Sequence, residues 1–350
     1  MDFSKVILKW YEVNKREFPW RKTKDPYRIW LSEIILQQTQ ISQGLPYYER
    51  FVKTFPTIQD LAEASEEKVL KLWQGLGYYS RARNLHFTAK YIHSELEGVF
   101  PNHYKSLLKL KGVGDYTASA IASIVYGECT PVVDGNVYRV LSRFFGVSTP
   151  INSTQGIKEF KLLATKLIDC SQPATYNQAI MDFGARQCRP KNPDCETCPL
   201  NSACFALSKN EIHLLPAKLK KTKIKKKYFN FIVVFDTSNK ILFEQRTENG
   251  IWKNLYQFPL VETDQPSEIK QMSHLIETKK IIEKNEFDLS LYNQEDIIHK
   301  LTHIHIHSKF WICQVKIELT GALSFNELEK KPMPILLKKF IDNSNLFQSE

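Results

Sequence analysis

The sequence predicts a mainly α N-terminal domain followed by an α+β C-terminal domain. Apolar residues recur at helical spacing up to about residue 213, and a lysine-rich segment comes next. Beyond that segment, short strand-like runs alternate with two helical stretches. A chain of 350 residues is long enough for two domains. We therefore place a first domain at residues 1–215, a linker at 216–227 and a second domain at 228–350.

Short stretches of sequence predict the individual elements. In the first domain the helical pattern is clearest in IWLSEIILQQTQI, EEKVLKLW, TASAIASIVYG and IKEFKLLATKLI. In the second domain FNFIVVFD, KILFEQR and KFWICQVKIEL predict strands, whereas EIKQMSHLIETKKIIEK and MPILLKKFIDN predict helices. The linker has seven lysines between Lys218 and Lys227, which predicts an exposed tether, with contact to phosphates as the alternative.

Charge and cysteine content narrow the choice of partner and compartment. The formal net charge of +10 favours a polyanionic partner. No apolar run is long enough to span a membrane, and the N-terminal residues are too charged for a signal peptide. We therefore expect a cytoplasmic protein that does not bind membranes. In that compartment the seven cysteines predict thiols or metal ligands rather than disulfides.

Four of the cysteines lie close together in CRPKNPDCETCPLNSAC. They are Cys188, Cys195, Cys198 and Cys204, with six, two and five residues between them. Four thiolates bind zinc in many proteins, but zinc ribbons usually pair two C-x-x-C motifs, and this stretch has one. The spacing favours an iron–sulfur cluster and leaves zinc open. Cys129, Cys170 and Cys313 are isolated in sequence, and we expect them to be core or surface thiols.

A turn with two glycines precedes a helix in LKGVGDYTASA. Gly112 and Gly114 allow several backbone N–H groups to point outward, and the helix that begins near Asp115 directs its positive end the same way. This arrangement binds phosphate, although an ordinary helix–turn–helix corner has the same signature. Tyr116 follows the turn, and a tyrosine cannot attack a sugar at neutral pH as a lysine amine can.

Two carboxylates are candidates for catalysis. Asp134 in PVVDGNVYRV is predicted to cap a helix, where the helix N-terminus keeps a carboxylate fixed and ionised. Glu33 lies in an apolar helical stretch, in a polar stripe with Gln37 and Gln40. Such a glutamate is either exposed along the stripe or held in a pocket. Beside a phosphate-binding turn we expect the pocket, where burial raises the pKa of Glu33 and makes it a proton donor.

A protonated and an ionised carboxyl group together predict cleavage of a glycosidic bond. One group protonates the leaving group, and the other stabilises or attacks the sugar cation. Where the leaving group is a base of duplex DNA, the nucleotide must be flipped out of the helix.

These motifs resemble the endonuclease III superfamily of DNA glycosylases, in which a helix-hairpin-helix, an aspartate and a four-cysteine loop occur in this order. In that superfamily the loop holds a [4Fe-4S] cluster, so the resemblance implies this cofactor. Bifunctional members have a lysine after the hairpin that forms a Schiff base with the sugar. Tyr116 stands at that position here. The resemblance therefore implies a monofunctional glycosylase.

The resemblance narrows to the A/G-specific adenine DNA glycosylases, the MutY family, and covers nearly the whole chain. The matching motifs, in order, are FPWR, WLSEIILQQTQ, WQGLGYYSRARNL, GVGDYTA, VDGNVYRVLSR and YNQAIMDFGARQC. A member of this family is expected to remove adenine opposite 8-oxoguanine or guanine in double-stranded DNA, as a monomer acting at the bacterial nucleoid.

The family's functional roles fall on the matching residues of this chain. Glu33 resembles the acid that protonates adenine N7, and Asp134 resembles the residue that stabilises or traps the sugar cation. Tyr116 and Asn136 resemble their neighbours in the catalytic pocket. The resemblance also implies an adenine pocket formed by Trp20, Arg21 and Gln178, and a wedge against the opposite base formed by Gln38, Thr39, Leu76 and Tyr78.

The second domain resembles the Nudix-like module of the same family. Leu301-Thr302-His303 matches a Phe-Ser-His loop that contacts 8-oxoguanine; two of the three residues differ, but Thr302 keeps a hydroxyl group. The alternation of His303, His305 and His307 predicts one face of a strand, with a metal site as the alternative. We find no Glu-rich Nudix box between residues 256 and 300, so we expect no nucleotide pyrophosphatase activity.

Other functions fit part of the sequence. A bifunctional pyrimidine glycosylase/lyase of the endonuclease III type shares the hairpin and the cysteine loop, but Tyr116 and the second domain argue against it. A non-catalytic DNA-damage binder or an iron–sulfur redox protein needs neither Glu33 nor Asp134.

Overall fold

The computed structural model describes residues 2–220, 224–282 and 287–347. The chain forms two compact units. The first contains Met1–Glu63 and Asn84–Lys220, and the second contains Ala64–Arg83 and Lys221–Glu350.

Residues 64–83 therefore pack with the C-terminal part of the chain, whereas the sequence predicts them in the first domain. Lys331 forms an ion pair with Glu67 at 3.2 Å, and the Tyr79 hydroxyl donates to the carbonyl of Met333 at 3.2 Å. These partners lie more than 250 residues apart in sequence, so local patterns carry no signal for the assignment.

The first unit is built from helices that bury one apolar face each. In α1, for example, Ile7, Trp10 and Tyr11 are buried at helical spacing. The helices are α1 Phe3–Asn14, α2 Pro26–Leu36, α3 Ile41–Thr54, α4 Ile58–Glu63, α6 Ser80–Glu95 from Asn84 onward, α7 Tyr104–Leu107, α8 Asp115–Tyr126, α9 Gly135–Phe145, α10 Thr154–Leu167, α11 Pro173–Arg186 and α12 Phe205–Ser208; α5, Glu66–Trp73, belongs to the second unit.

Of two predicted helices, one has the expected bounds and the other ends early. The bounds of α5 coincide with the predicted EEKVLKLW. In contrast, α2 ends at Leu36, because Gln37 leaves helical geometry and Gln38 takes a positive φ of 54°. The predicted polar stripe of Glu33, Gln37 and Gln40 is therefore wrong: only Glu33 lies in α2, and Gln40 caps α3.

The core of the first unit lies between α1, α9, α10 and α11. Val137, Phe160, Ile180 and Phe183 are among its fully buried members. Gly184 of α11 faces α9, where an added Cβ would lie 2.7 Å from Cβ of Asn136, closer than real Cβ atoms approach. Glycine at this position thus allows the close packing of α9 and α11 that sets the place of Asn136.

The second unit contains a five-stranded sheet within its described residues. The strands are β1 Lys225–Phe235, β2 Glu244–Gln245, β3 Tyr256–Gln257, β4 Leu260–Thr263, β5 Phe287–Leu291, β6 Ile297–Lys300 and β7 Ile304–Val315, and the helices are α5, α13 Ile269–Thr278, α14 Phe325–Lys330 and α15 Ile335–Asn343. β1 and β7 pair in parallel at the centre, β4 pairs with β1, and both β5 and β6 pair with β7. β2 and β3 form a separate two-stranded sheet.

Two predicted boundaries move. β1 begins at Lys225, inside the predicted linker 216–227, because residues 225–227 pair with residues 304–306 of β7. Residues 221–223 of that linker lie outside the described residues, as do 283 and 284, the end of the predicted helix EIKQMSHLIETKKIIEK. His303 precedes β7, so only His305 and His307 of the predicted histidine face lie in the strand.

The expectation for two of the isolated cysteines is wrong. Cys129 and Cys170 form a disulfide with their Cα atoms 5.0 Å apart. The fold brings the loop between α10 and α11 against the loop between α8 and α9, and the disulfide joins residues separated by 41 positions. Cys313 is a buried free thiol, as expected. No helix in the described part of the chain is long and apolar enough to cross a membrane.

Candidate active site

A cavity of about 190 Å³ in the first unit brings together most of the predicted catalytic residues. Its size suits one small planar group, because pockets for drug-sized ligands usually measure about 300–1,000 Å³. The predicted residues that line it are Trp20, Arg21, Glu33, Thr39, Tyr116, Asp134, Asn136 and Gln178; Arg16, Phe18, Met181 and Asp182 also contribute.

Glu33 is held in the pocket rather than exposed, as predicted. It lies in α2, where residues on both sides of it are buried, and its own exposed fraction is 8%. Burial raises the pKa of Glu33 to about 7; the charge of Asp134 adds to the rise, whereas a hydrogen bond from Tyr116 and the charge of Arg21 oppose it. Near neutral pH this carboxyl group can therefore hold a proton and donate it.

Asp134 is the N-cap of α9, as predicted. Its Oδ1 accepts the backbone N–H groups of Asn136 at 2.9 Å and Val137 at 2.8 Å, and its Oδ2 accepts from the Asn136 side-chain amide at 2.8 Å. The helix N-terminus was expected to keep the group ionised. Burial raises the pKa of Asp134 above its ordinary value, and all three donors oppose the rise and favour the ionised form. The donors fix the orientation of this carboxyl group, which lines the cavity.

Tyr116 interacts with both carboxyl groups. Its hydroxyl has two partners, Glu33 and, at 3.3 Å, Sδ of Met181, so its single proton is donated to one of them at a time. Burial raises the pKa of Tyr116 well above 10, and the charges of Glu33 and Asp134 add to the rise. The side chain is thus a neutral phenol at any physiological pH.

A buried aspartate organises the opposite wall of the cavity. Asp182 accepts from Nη1 of Arg21 at 2.8 Å and from Nη2 at 3.0 Å, and it also binds Nε of Arg16 at 3.0 Å. Although burial works in the opposite direction, hydrogen bonds from Arg21 and Arg16 lower the pKa of Asp182. One amide oxygen nearby is fixed too, because the Tyr11 hydroxyl donates to Oε1 of Gln178 at 3.0 Å.

Sequence reasoning missed Asp182, Met181 and Arg16. Asp182 and Met181 follow Gln178 by four and three positions on α11, so helical spacing places all three on the face that meets the cavity. That periodic signal was available. Arg16 lies in the loop after α1 and gives no comparable signal.

The helix-hairpin-helix turn has the predicted form. α8 begins at Asp115 with Gly114 as its N-cap, and no side chain among the described residues caps it. Gly112 has φ = +82°, and an added Cβ would also meet Asn84 at 2.9 Å. Glycine is therefore required at residue 112, and the first N–H groups of α8 are left to an external acceptor.

The four predicted cysteines line one small cavity together with Arg143 of α9. Arg143 of α9 donates to Sγ of Cys188 at 3.5 Å and to the carbonyl of Arg189 at 2.8 Å. Within the described residues, no three His, Cys, Asp or Glu side chains meet the spacing for a single metal ion. Four sulfur atoms around one cavity, with a buried cation beside them, nevertheless fit a thiolate-bound cluster, whose negative charge that cation would offset.

Arg139 joins the cysteine loop to the catalytic pocket. Its Nε donates to the carbonyl of Cys188 at 2.7 Å, and its Nη2 donates to Oδ1 of Asn136 at 2.8 Å. Asn136 in turn donates to Asp134. One face of α9 thus links the first cysteine of the loop to the carboxylate at the helix N-terminus.

The remaining predicted residues are divided between the two units. Gln38 occupies the break between α2 and α3 in the first unit. Leu76 and Tyr78 belong to the second unit, where the hydroxyl groups of Tyr78 and Thr302 are 2.6 Å apart. His303 is exposed in the same turn as Thr302.

A second, larger cavity of about 1030 Å³ lies in the first unit near Tyr91 and Tyr126. Asp25 is the only carboxylate among the described residues that line it, so it offers no paired acid and base. The smaller cavity is the better candidate for the active site, because two carboxyl groups, Glu33 and Asp134, line it.

Comparisons with known proteins agree with this geometry. Residues 31–164 match the model of the HhH-GPD superfamily base excision DNA repair proteins, and residues 230–343 match that of the NUDIX domain. The adenine DNA glycosylase of Buchnera aphidicola subsp. Schizaphis graminum is 37% identical over 329 residues, which cover 94% of this chain and 91% of that relative. The chain belongs to the adenine DNA glycosylase family.

Other relatives of this glycosylase match a smaller share of the chain. The human adenine DNA glycosylase is 43% identical over 218 residues, which cover 60% of this chain and 40% of the human protein. A thermostable thymine-DNA glycosylase of known structure has a TM-score of 0.56 at 31% identity, covering 59% of this chain and 95% of its own. An endonuclease III–DNA complex, with a TM-score of 0.52 at 20% identity over similar shares, supports the fold. The predicted family and fold class are thus confirmed.

Proposed function

We propose that the enzyme is a monofunctional glycosylase that hydrolyses the N-glycosidic bond of adenine paired with 8-oxoguanine or guanine in DNA. The observation that carries this proposal is that Glu33 and Asp134 line the same small cavity and that the pKa of Glu33 is raised to about 7. The sequence relationship supports adenine as the leaving base.

The two carboxyl groups divide the reaction. Protonated Glu33 donates its proton to N7 of the flipped adenine, and the electrons of the N-glycosidic bond leave with the base. The Asp134 carboxylate faces the resulting sugar cation and stabilises it or bonds to it, until water completes the hydrolysis. Asn136 holds Asp134 through one amide hydrogen bond, so the carboxylate does not need to reorient during the reaction.

Tyr116 limits the enzyme to hydrolysis. The residue stands where a lysine would attack C1′ of the sugar, and its buried phenol stays protonated. Its hydrogen bond to Glu33 orients the acid. No amine is supplied at this position for a Schiff base, so strand cleavage is not expected.

The adenine base is expected to lie against Trp20, Arg21 and Gln178. Trp20 is buried and stacks on Phe18 with ring centres 5.0 Å apart. Asp182 holds Arg21, and the Tyr11 hydroxyl occupies Oε1 of Gln178, which leaves the Gln178 amide N–H groups to face a ring nitrogen.

The opposite base is expected to be read by Thr302 and His303 of the second unit, with Gln38, Thr39, Leu76 and Tyr78 as the wedge. The 2.6 Å contact between Tyr78 and Thr302 supports a shared role, because it fixes the direction of the Thr302 hydroxyl. Gly112 and Gly114 are expected to bind a phosphate of the DNA through the N-terminus of α8.

We also propose that Cys188, Cys195, Cys198 and Cys204 hold a [4Fe-4S] cluster. Bound there, the cluster supplies a covalent tie within the loop after α11. Arg139 and Arg143 fix that loop to α9, whose N-terminus holds Asp134. Purified anaerobically, the protein should contain about four iron atoms; stoichiometric zinc without iron would show that the loop is a zinc site.

The decisive assay compares three duplexes that contain adenine opposite 8-oxoguanine, adenine opposite guanine, or thymine glycol. We expect strand breaks only after alkali treatment, and only in the two adenine duplexes. Breaks without alkali, or turnover of thymine glycol, would favour the bifunctional pyrimidine enzyme. Thr302→Ala should reduce the preference for 8-oxoguanine over guanine, since a hydrogen bond contributes about 0.5–1.5 kcal/mol.

A further inference from the structure

Two lysines and a histidine lie in a row beside the turn that contains Thr302. Lys226 of β1 pairs with His305 of β7 in the parallel ladder, and Lys300 of β6 pairs with the same His305 in the antiparallel ladder. Residues that pair directly across strands share one face of the sheet. Lys226, His305 and Lys300 therefore stand side by side across three adjacent strands.

The row is unusual in its charge, because Lys226 and Lys300 lie on either side of His305 on one face and the ladder places no acidic residue between them. The next row inward is different, because His307 pairs with Asp296 at 3.1 Å. On the other face, Lys227 pairs with Glu262 at 2.9 Å.

Along the part of the chain that the structure describes, no ion pair involves Lys226 or Lys300, and both side chains are exposed. The fold thus neutralises the neighbouring charges and leaves those of this row available.

The row is also attached to the turn by backbone hydrogen bonds. The N–H of Lys225 donates to the carbonyl of His303 at 3.0 Å, and the N–H of Leu301 donates to the carbonyl of Ile304 at 2.8 Å. Two strand spacings separate Lys226 from Lys300, which is roughly 10 Å. One DNA strand advances about 3.4 Å per phosphate along the helix axis, so the row spans about three phosphates.

We propose that Lys226, His305 and Lys300 bind the phosphodiester backbone of the DNA strand that carries the base opposite adenine. The lysines supply charge, and the imidazole of His305 supplies an N–H donor. Phosphate contacts position a protein on DNA but carry no base information. The row would position Thr302 relative to the duplex, and Thr302 would contact the base. This assignment of the strand rests on the function proposed above for Thr302.

The first test is the salt dependence of binding. The full-length Lys226→Gln/Lys300→Gln variant is compared with wild type on a duplex with a non-hydrolysable adenine analogue opposite 8-oxoguanine. Loss of two phosphate contacts should reduce the slope of log K against log salt by about 1.8, and affinity at 100 mM salt should fall at least about tenfold. Lys240→Gln/Lys316→Gln removes the same charge at the opposite end of β1 and β7 and should leave the slope nearly unchanged.

A conservative variant and a second duplex separate this proposal from folding and from base reading. Lys226→Arg/Lys300→Arg should retain the wild-type slope. The glutamine variant should keep the wild-type ratio of affinities for 8-oxoguanine and guanine, whereas Thr302→Ala should change the ratio and keep the slope. If Thr302→Ala leaves the ratio unchanged, the proposed reading function fails while the phosphate surface stands.

The second test identifies the strand. Neutral methylphosphonates at three linkages around 8-oxoguanine should weaken binding by wild type and have little further effect on the glutamine variant. The same substitution on the adenine strand should weaken both proteins equally. The proposal would be overturned if the glutamine variant kept the wild-type slope. It would also be overturned if the effects of the glutamine substitutions and the methylphosphonates were non-additive only when the methylphosphonates are in the adenine strand.

Discussion

Replacement of Glu33 by glutamine should change stability in a way that depends on pH. The folded protein keeps the Glu33 proton up to a pKa of about 7, whereas the ordinary value of 4.5 applies after unfolding. Between these values the folded state binds more protons, so stability is fully present below pH 4.5 and falls as pH rises to about 7. The pKa of Glu33 is about 2.5 higher in the folded state than in the unfolded state, and a pKa difference of one corresponds to about 1.36 kcal/mol. The free energy of unfolding therefore falls by roughly 3 kcal/mol over this pH range.

Glutamine is neutral at every pH and lacks this loss. The difference in unfolding free energy between Glu33→Gln and wild type should therefore grow by roughly 3 kcal/mol between pH 4.5 and pH 8, in favour of the variant. Urea unfolding followed by circular dichroism at several pH values measures it. Glu12→Gln, on the exposed face of α1, serves as the control and should show no such trend. A difference between Glu33→Gln and wild type that is constant with pH would refute the assignment of a raised pKa to Glu33.

Other variants test individual contacts. Tyr116→Lys places an amine beside the sugar and should add alkali-independent strand breaks and borohydride trapping on DNA; strong trapping of the wild type would contradict the monofunctional proposal. Asp182→Asn leaves Arg16 and Arg21 without their buried carboxylate partner and should cost about 3 kcal/mol in urea unfolding; unchanged stability would show that the two arginines find other partners. Gly184→Ala forces a Cβ within 2.7 Å of the Asn136 side chain and should destabilise the fold by about 1–3 kcal/mol and slow excision; normal single-turnover kinetics would show that α9 and α11 can separate without cost.

Sequence reasoning succeeded where the signal is local. The start of α8 at Asp115 and the cap at Asp134 follow from turn and capping residues within a few positions. For these two features, nearest neighbours in sequence supply most of the physical determinants. The apolar residues around Glu33 on α2 left both exposure and burial open, and the expected neighbourhood of the phosphate-binding turn favoured the burial that the structure has.

Features set by tertiary packing were not predictable in the same way. Nothing in the sequence near Cys129 indicates that the loop after α10 places Cys170 beside it. The packing of residues 64–83 with the C-terminal unit depends on partners such as Lys331, far along the chain. The break after Leu36 was also not predictable, because glutamine is a good helix former and Gln37 and Gln38 give no signal that the helix stops.

Release of adenine by Glu33→Gln tests the central claim most directly. Binding and single-turnover release of free adenine are measured on one duplex with adenine opposite 8-oxoguanine, at pH 6 and at one salt concentration. We predict that the variant binds this duplex with an affinity near that of wild type and releases adenine at least about a hundred times more slowly, because the proton donor is missing. Release by the variant at the wild-type rate would contradict the claim that Glu33 is the acid that protonates the leaving base.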